Sequence, residues 1–235
     1  MKRALTAVAL GVGLVMGLAS AASADDKDKD KPKTIKVQTF RVEPFQFGLG
    51  ALVGWIRGAG EPNQPRDEGQ FGLYLQKHTP DSATYFAAAG ASLTGNIPKT
   101  AAELTTLSFD ISGVPGVAFD ATTFNTVAGS NHGYCGAGAP RFNVDSDAGT
   151  IFLGCAAGDK TQDPVTGWWT VKFVPPFAKY GGGAEPTGTI KAITIIFDEG
   201  TNLGVGGTVG SSPGDVVIDD ITVNNVVVGK PTDDD

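Results

Sequence analysis

The chain has 235 residues, a formal net charge of −7, 33 glycines, 14 prolines, two cysteines and two histidines. This acidic balance argues against nucleic acid and anionic membrane surfaces as partners. Two cysteines and two well-separated histidines give no zinc-ligand spacing.

Residues 1–24 begin with Lys2 and Arg3, continue through a short apolar run and end Ala22-Ser23-Ala24. That is the pattern of a secretory signal peptide with its cleavage site, so the mature product is expected to be secreted, extracellular or periplasmic. Loss of Lys2 and Arg3 with no acidic residue takes the charge from −7 to −9. No later stretch is apolar enough for membrane insertion. Residues 25–34, opening DDKDKDKPK, carry alternating charge without a core-forming residue and are expected to be a disordered linker. Residues 35–229 are the expected folded domain, and 230–235 form an acidic tail.

Within the domain, short apolar segments are bounded by Gly and Pro, and period-two alternation dominates. After weak strand signals at TIKVQTF and TYFAAAGASL come clearer ones. GQFGLYLQK sets Phe71, Leu73 and Leu75 against Tyr74 and Gln76; ELTTLSFDIS sets Leu107, Phe109 and Ile111 against Thr106, Ser108 and Asp110. PRFNVD sets Phe142 and Val144 against Arg141, Asn143 and Asp145, followed by a DSDAG turn and the apolar TIFLGC. WWTVKFV sets Trp169, Val171 and Phe173 inward and leaves Trp168, Thr170 and Lys172 outward; IKAITIIF and GDVVIDDITVNN complete the series. KTAAEL is the one candidate helical turn. About eight antiparallel strands with very little helix predict an all-β, two-sheet sandwich. Cys135 and Cys155 are expected to form a disulfide across the hairpin around DSDAG, contributing roughly 3 kcal/mol in the chain-entropy model.

A catalytic constellation is not found. His78 and His132 lie in no nucleophile-elbow pattern, and Gly-rich runs such as GVGGTVG match no phosphate-binding loop. A glycan site needs an aromatic ring for stacking beside hydrogen-bonding groups. If the outward stripes share one sheet, Trp168, Arg141, Asn143, Tyr74 and Gln76, with Thr106 and Asp110, provide these. In GDVVIDDITVNN, alternation puts Val217, Asp219, Ile221 and Val223 on one face and Val216, Ile218, Asp220 and Thr222 on the other. Asp219 then shares a face with an apolar set and needs compensation: Arg41, Arg57, Arg66, backbone N–H groups, a bulge, or a bound Ca²⁺.

EGQFGLYLQK, LSFDISG and GDVVIDDITVN together resemble jelly-roll carbohydrate-binding modules of secreted polysaccharide-degrading systems, over roughly residues 38 to 228. The resemblance implies a jelly-roll sandwich, a non-catalytic protein binding a polysaccharide or glycan on one sheet face, and a structural Ca²⁺ beside the last strand. It carries the calcium role to Asp219 first and Asp220 second. Glu43 is added as a third ligand on the expectation that the first and last strands pair. The chain departs from the pattern in having no room for an accompanying catalytic domain. The alternatives are a structural or adhesive protein that binds another protein, and a small secreted polysaccharide hydrolase.

Overall fold

The computed structural model describes residues 39–48, 50–62, 64, 70–77, 87–116, 119, 133–135, 138–198 and 215–231. The leader, the charged linker, residues 232–235, Arg66, His78 and His132 lie outside them. The described residues belong to one compact unit, Gln38–Asp235.

Among the described residues there are twelve strands: β1 (Phe40–Phe47), β2 (Ala51–Arg57), β3 (Phe71–Lys77), β4 (Ala88–Gly95), β5 (Leu107–Ile111), β6 (Arg141–Ser146), β7 (Gly149–Gly154), β8 (Asp159–Gln162), β9 (Trp169–Phe173), β10 (Ile190–Phe197), β11 (Asp215–Val223) and β12 (Val226–Val228). Among the described residues helix is confined to three short 3₁₀ turns, one of them at Ala101–Glu103 inside KTAAEL. The strands form two antiparallel sheets. One has five strands in the order β1-β4-β10-β6-β7; the other has seven, ordered β2-β3-β11-β5-β9-β8 with β12 beside β11.

The chain is therefore the expected all-β sandwich, with more strands than the pattern disclosed. β2, β8 and β12 are the additions. ALVGWIR lacks clean alternation because Gly54 interrupts it, DKTQ is wholly polar, and VVV is too short to show a period. β1 begins at Phe40, where the weak TIKVQTF signal ends.

The inner faces meet in one core. The five-stranded sheet contributes Phe142, Val144, Ile151, Leu153, Ile193 and Ile195; the other contributes Leu73, Leu75, Phe109, Ile111, Val171 and Phe173. Phe142 interlocks the layers, with ring centroids 5.4 Å from Phe109 and 6.1 Å from Phe173. Burying a side chain of this size contributes about 1.5–3 kcal/mol, so the two facing stripes are the main source of stability. Cys135 and Cys155 are bridged, with Cα atoms 5.6 Å apart, and the Cys155 N–H donates to the Pro140 carbonyl at 2.9 Å. The bridge ties the segment before β6 to the end of β7, the hairpin read from DSDAG.

β11 corrects the simple alternation. Asp219 lies opposite Asp110 and Thr222 opposite Ser108, so Asp220 and Ile221 together face the single residue Phe109. That is a β-bulge, and it resets the phase of the strand. Val216 and Ile218 before it and Ile221 and Val223 after it all belong to the core. Asp219 shares its row with the outward Asp110, and not the face of Ile221 and Val223.

Trp168 requires a second correction, because it is only 6 % exposed. β9 starts one residue later, and Trp168 closes the β8–β9 connection, its carbonyl accepting from the Asp163 N–H at 2.9 Å. Trp169 does pack against the core, as alternation requires, although it is only half-buried. Trp168→Ala should therefore destabilise the protein by roughly 3 kcal/mol, the lower end for deleting a large buried ring. A urea midpoint equal to that of the wild type would show that the ring contributes nothing to packing.

Candidate functional site: an acidic cluster over the β11 bulge

The outer face of the seven-stranded sheet carries a row of polar positions, Thr170 on β9, Asp110 on β5 and Asp219 on β11, joined by register. The chain leaving β2 doubles back over this row. Gly60 donates its N–H to the Gln70 carbonyl at 2.8 Å, which brings Glu61 above Asp219. The approach requires glycine: a Cβ at Gly60 would stand 2.3 Å from the Phe71 carbonyl oxygen and 2.6 Å from Asp219 Oδ2.

Asp219 is completely buried. Its Oδ2 accepts the Glu61 backbone N–H and its Oδ1 the Asp220 backbone N–H, both at 2.7 Å. Two backbone donors to one carboxylate are the compensation its burial demands, since hydrogen bonds to an ionised group are among the stronger ones. The same two bonds hold the backbones of Glu61 and Asp220 on either side of it.

Glu61, Asp110 and Asp220 each direct a carboxylate oxygen to one place, the three atoms lying within 4.8 Å of one another. Glu61 is 2 % exposed. Its Oε1 accepts the Thr166 hydroxyl at 2.6 Å and its Oε2 the Gln64 amide at 2.7 Å. Thr166 is placed by Asp163, whose Oδ1 accepts the Val165 and Thr166 N–H groups at 2.6 and 3.0 Å in the β8–β9 turn. Burial pushes the Asp110 carboxyl up to about 7; the Thr170 hydroxyl opposes that rise, and Glu61 and Asp220 add to it.

Asp220 occupies the left-handed region with φ +42°. Glycine is the favoured residue at such a bulge position, and a carboxylate-bearing residue there accepts backbone strain. Aspartate is one of the few residues besides glycine that visit this region. An all-oxygen set of three crowded carboxylates suits a hard cation, and the cluster can hold a metal ion.

The structure differs from the expected ligand set. Asp220 is in the cluster. Asp219 lies beneath it as the residue that positions two of the three carboxylates. Glu43 is a correction: β1 pairs with β4, not with β11, so Glu43 belongs to the five-stranded sheet, where its Oε1 accepts the Thr94 hydroxyl at 2.7 Å. Glu61 lies in a loop without periodicity and has no signal of this kind, and Asp110, expected among the outward hydrogen-bonding groups of a glycan face, stands in the acidic cluster instead. The Gly-Glu pair following β2 is the available signal for the first, and register opposite Asp219 for the second.

The residues expected to form one glycan face are divided between the sheets. Tyr74 and Gln76 are on β3 and Trp168 precedes β9, all in the seven-stranded layer; Arg141 and Asn143 are on β6 in the other. Tyr74 donates its hydroxyl to Asp215 Oδ2 at 2.9 Å, and burial, followed by that carboxylate, raises its pKa. Arg141 forms a two-pronged ion pair with Asp198, at 2.5 and 2.6 Å, and donates through Nε to Asn143 Oδ1 at 3.0 Å. The burial of Trp168 removes it as a stacking platform. Among the described residues no helix is long and apolar enough to cross a membrane. Comparison with family models, curated proteins and solved structures finds no match.

Asp110 gives the cluster a pH signature. Its folded pKa of about 7 stands above the ordinary 3.8, so the proton favours the folded state; this contribution is complete at low pH and is lost as pH rises through 7. In metal-free protein the melting temperature should fall between about pH 4 and pH 7, and Asp110→Asn should flatten the fall. Parallel curves for the two proteins would place the titration elsewhere.

Proposed function

We propose that the chain is a secreted, non-catalytic binding protein of the jelly-roll carbohydrate-binding kind. It recognises a polysaccharide or glycan on one sheet face, with a structural Ca²⁺ held by Glu61, Asp110 and Asp220. The observation that carries this reading is the contrast between the two outer faces. On the seven-stranded sheet the segment after β2 and the β8–β9 turn converge on the acidic cluster, where Glu61 and Asp219 are buried. On the five-stranded sheet Arg141 and Asn143 stand half-buried on β6, already tied to one another and to Asp198. One face has the chemistry of a cation site and the other that of a ligand platform.

Calcium is favoured over magnesium because the ligands come from a loop and two strands with unequal constraints. Ca²⁺ accepts irregular oxygen sets of six to eight at about 2.3–2.6 Å, whereas Mg²⁺ demands near-octahedral geometry. The oxidised Cys135–Cys155 pair supports export, since such bridges persist in oxidising compartments. A second reading, contact with another protein, is favoured by Leu52 and Ile56, which are exposed on the edge strand β2.

Two experiments test the proposal. Chelation should lower the melting temperature and added Ca²⁺ restore it by about 5–10 °C, as for a ligand at roughly a hundred times its dissociation constant. Asp220→Gly, which relieves the left-handed strain, should keep the metal-free melting temperature or raise it and abolish the calcium response. A response to Ca²⁺ that survives in Asp220→Gly would remove the ion from this site. Sedimentation with an insoluble polysaccharide panel should retain the wild type on at least one member; a protein that binds none and forms a stable dimer supports the second reading.

A further inference from the structure

Register on the five-stranded sheet aligns one residue from every strand in a single outward row: Glu43 on β1, Ser92 on β4, Thr194 on β10, Asn143 on β6 and Phe152 on β7. Four of the five are polar and the last is a ring left 44 % exposed at the edge of the sheet. At the spacing between paired strands the row is about 19 Å long.

The ring end of the row opens into a groove of about 490 Å³ lined by Arg141, Phe152, Gly154, Tyr180, Gly182 and Asp198 among others. Arg141 lies over the Phe152 ring, its guanidinium carbon 5.6 Å from the centroid, which fixes the orientation of the ring. Asp198 is held from two sides: Arg141 grips its carboxylate, and the buried Lys77 donates Nζ to its backbone carbonyl. Tyr180 is equally constrained, donating its hydroxyl to Asp159 Oδ2 at 2.6 Å and accepting the Val174 N–H at 3.1 Å. The groove is thus preorganised, and a ligand entering it does not have to freeze these side chains.

Two features set the ligand class. The groove presents an apolar ring beside hydrogen-bonding groups, which suits a molecule with a C–H face and a rim of hydroxyls. Its charge is balanced, because the Arg141 guanidinium is already matched by Asp198, while the chain as a whole is acidic at −7 and so repels polyanions. We propose that this face binds an uncharged, extended polysaccharide: one sugar ring rests against Phe152 beside the Arg141–Asp198 pair, and the chain continues along Asn143, Thr194 and Ser92 toward Glu43. This rests on the glycan-binding reading above and specifies its site and the charge of its ligand.

Affinity electrophoresis in gels containing xylan, mixed-linkage β-glucan or glucomannan, beside gels containing polygalacturonate or alginate, tests it. The wild type should be retarded by at least one uncharged polymer and by neither polyanion. Phe152→Ala should weaken that retardation at least tenfold with an unchanged melting temperature, and Thr194→Val, a near-isosteric change on the same row, should weaken it several-fold. Retardation by an uncharged polymer that both variants retain would overturn the site while leaving glycan binding intact. Retardation by the polyanions alone would overturn the ligand class. A wild type retarded by none of the five would overturn the glycan reading together with this one.

Discussion

The Asp219 carboxylate, buried with a backbone N–H on each oxygen, is the constraint around which the outer seven-stranded face is organised. An ionised group removed from water costs several kcal/mol unless it is hydrogen-bonded, so its two donors must stay in place. One is the N–H of Glu61, which requires the chain after β2 to fold back across the sheet. The other is the N–H of Asp220, presented where the bulge bends β11. Gly60 permits the first approach, and Gly229 flanks the second, where a Cβ would stand 2.9 Å from Asp219 Oδ1 and 3.0 Å from Asp220 Oδ1. A single side chain thereby fixes a loop, a bulge and two of the three carboxylates of the cluster.

That arrangement explains why the cluster stands on a covered face. A cation site gains from walls that exclude water, since charge interactions strengthen as the local dielectric falls. The same walls make the free cluster unfavourable, which shows in the elevated Asp110 carboxyl. Proton and cation are alternative answers to the same crowding. Among the described residues the outer face of the five-stranded sheet carries no such cluster, and its row of polar residues ends in the half-exposed ring of Phe152.

Much of the fold was legible because period-two alternation reports directly on a half-buried strand. β3, β5, β6 and β9 show their core residues in the sequence: Leu73 and Leu75, Phe109 and Ile111, Phe142 and Val144, Val171 and Phe173. The disulfide was legible from the short hairpin lying between the cysteines. The cluster was half legible. Two adjacent aspartates in a strand signalled a local irregularity, but alternation cannot say where a bulge falls, and the displaced phase moved Asp219 to the outer face. Glu61 lies 158 residues from Asp219, and nothing local in a loop marks such a partner. The sheet assignment of β6 was equally hidden, since pairing with β10 and β7 separates Arg141 and Asn143 from Tyr74 and Gln76.

Glu61, Asp110 and Asp220 bring three carboxylate oxygens to one place, where a metal ion can be held and Ca²⁺ is the ion proposed. A crystal structure of protein purified without chelator, with anomalous data collected at long wavelength, tests it most directly. One strong anomalous peak is expected about 2.3–2.6 Å from an oxygen of each of the three carboxylates, with the Asp219 oxygens still on the N–H groups of Glu61 and Asp220. Carboxylates bonded to one another through a shared proton, with no peak between them in crystals soaked in calcium chloride, would contradict it.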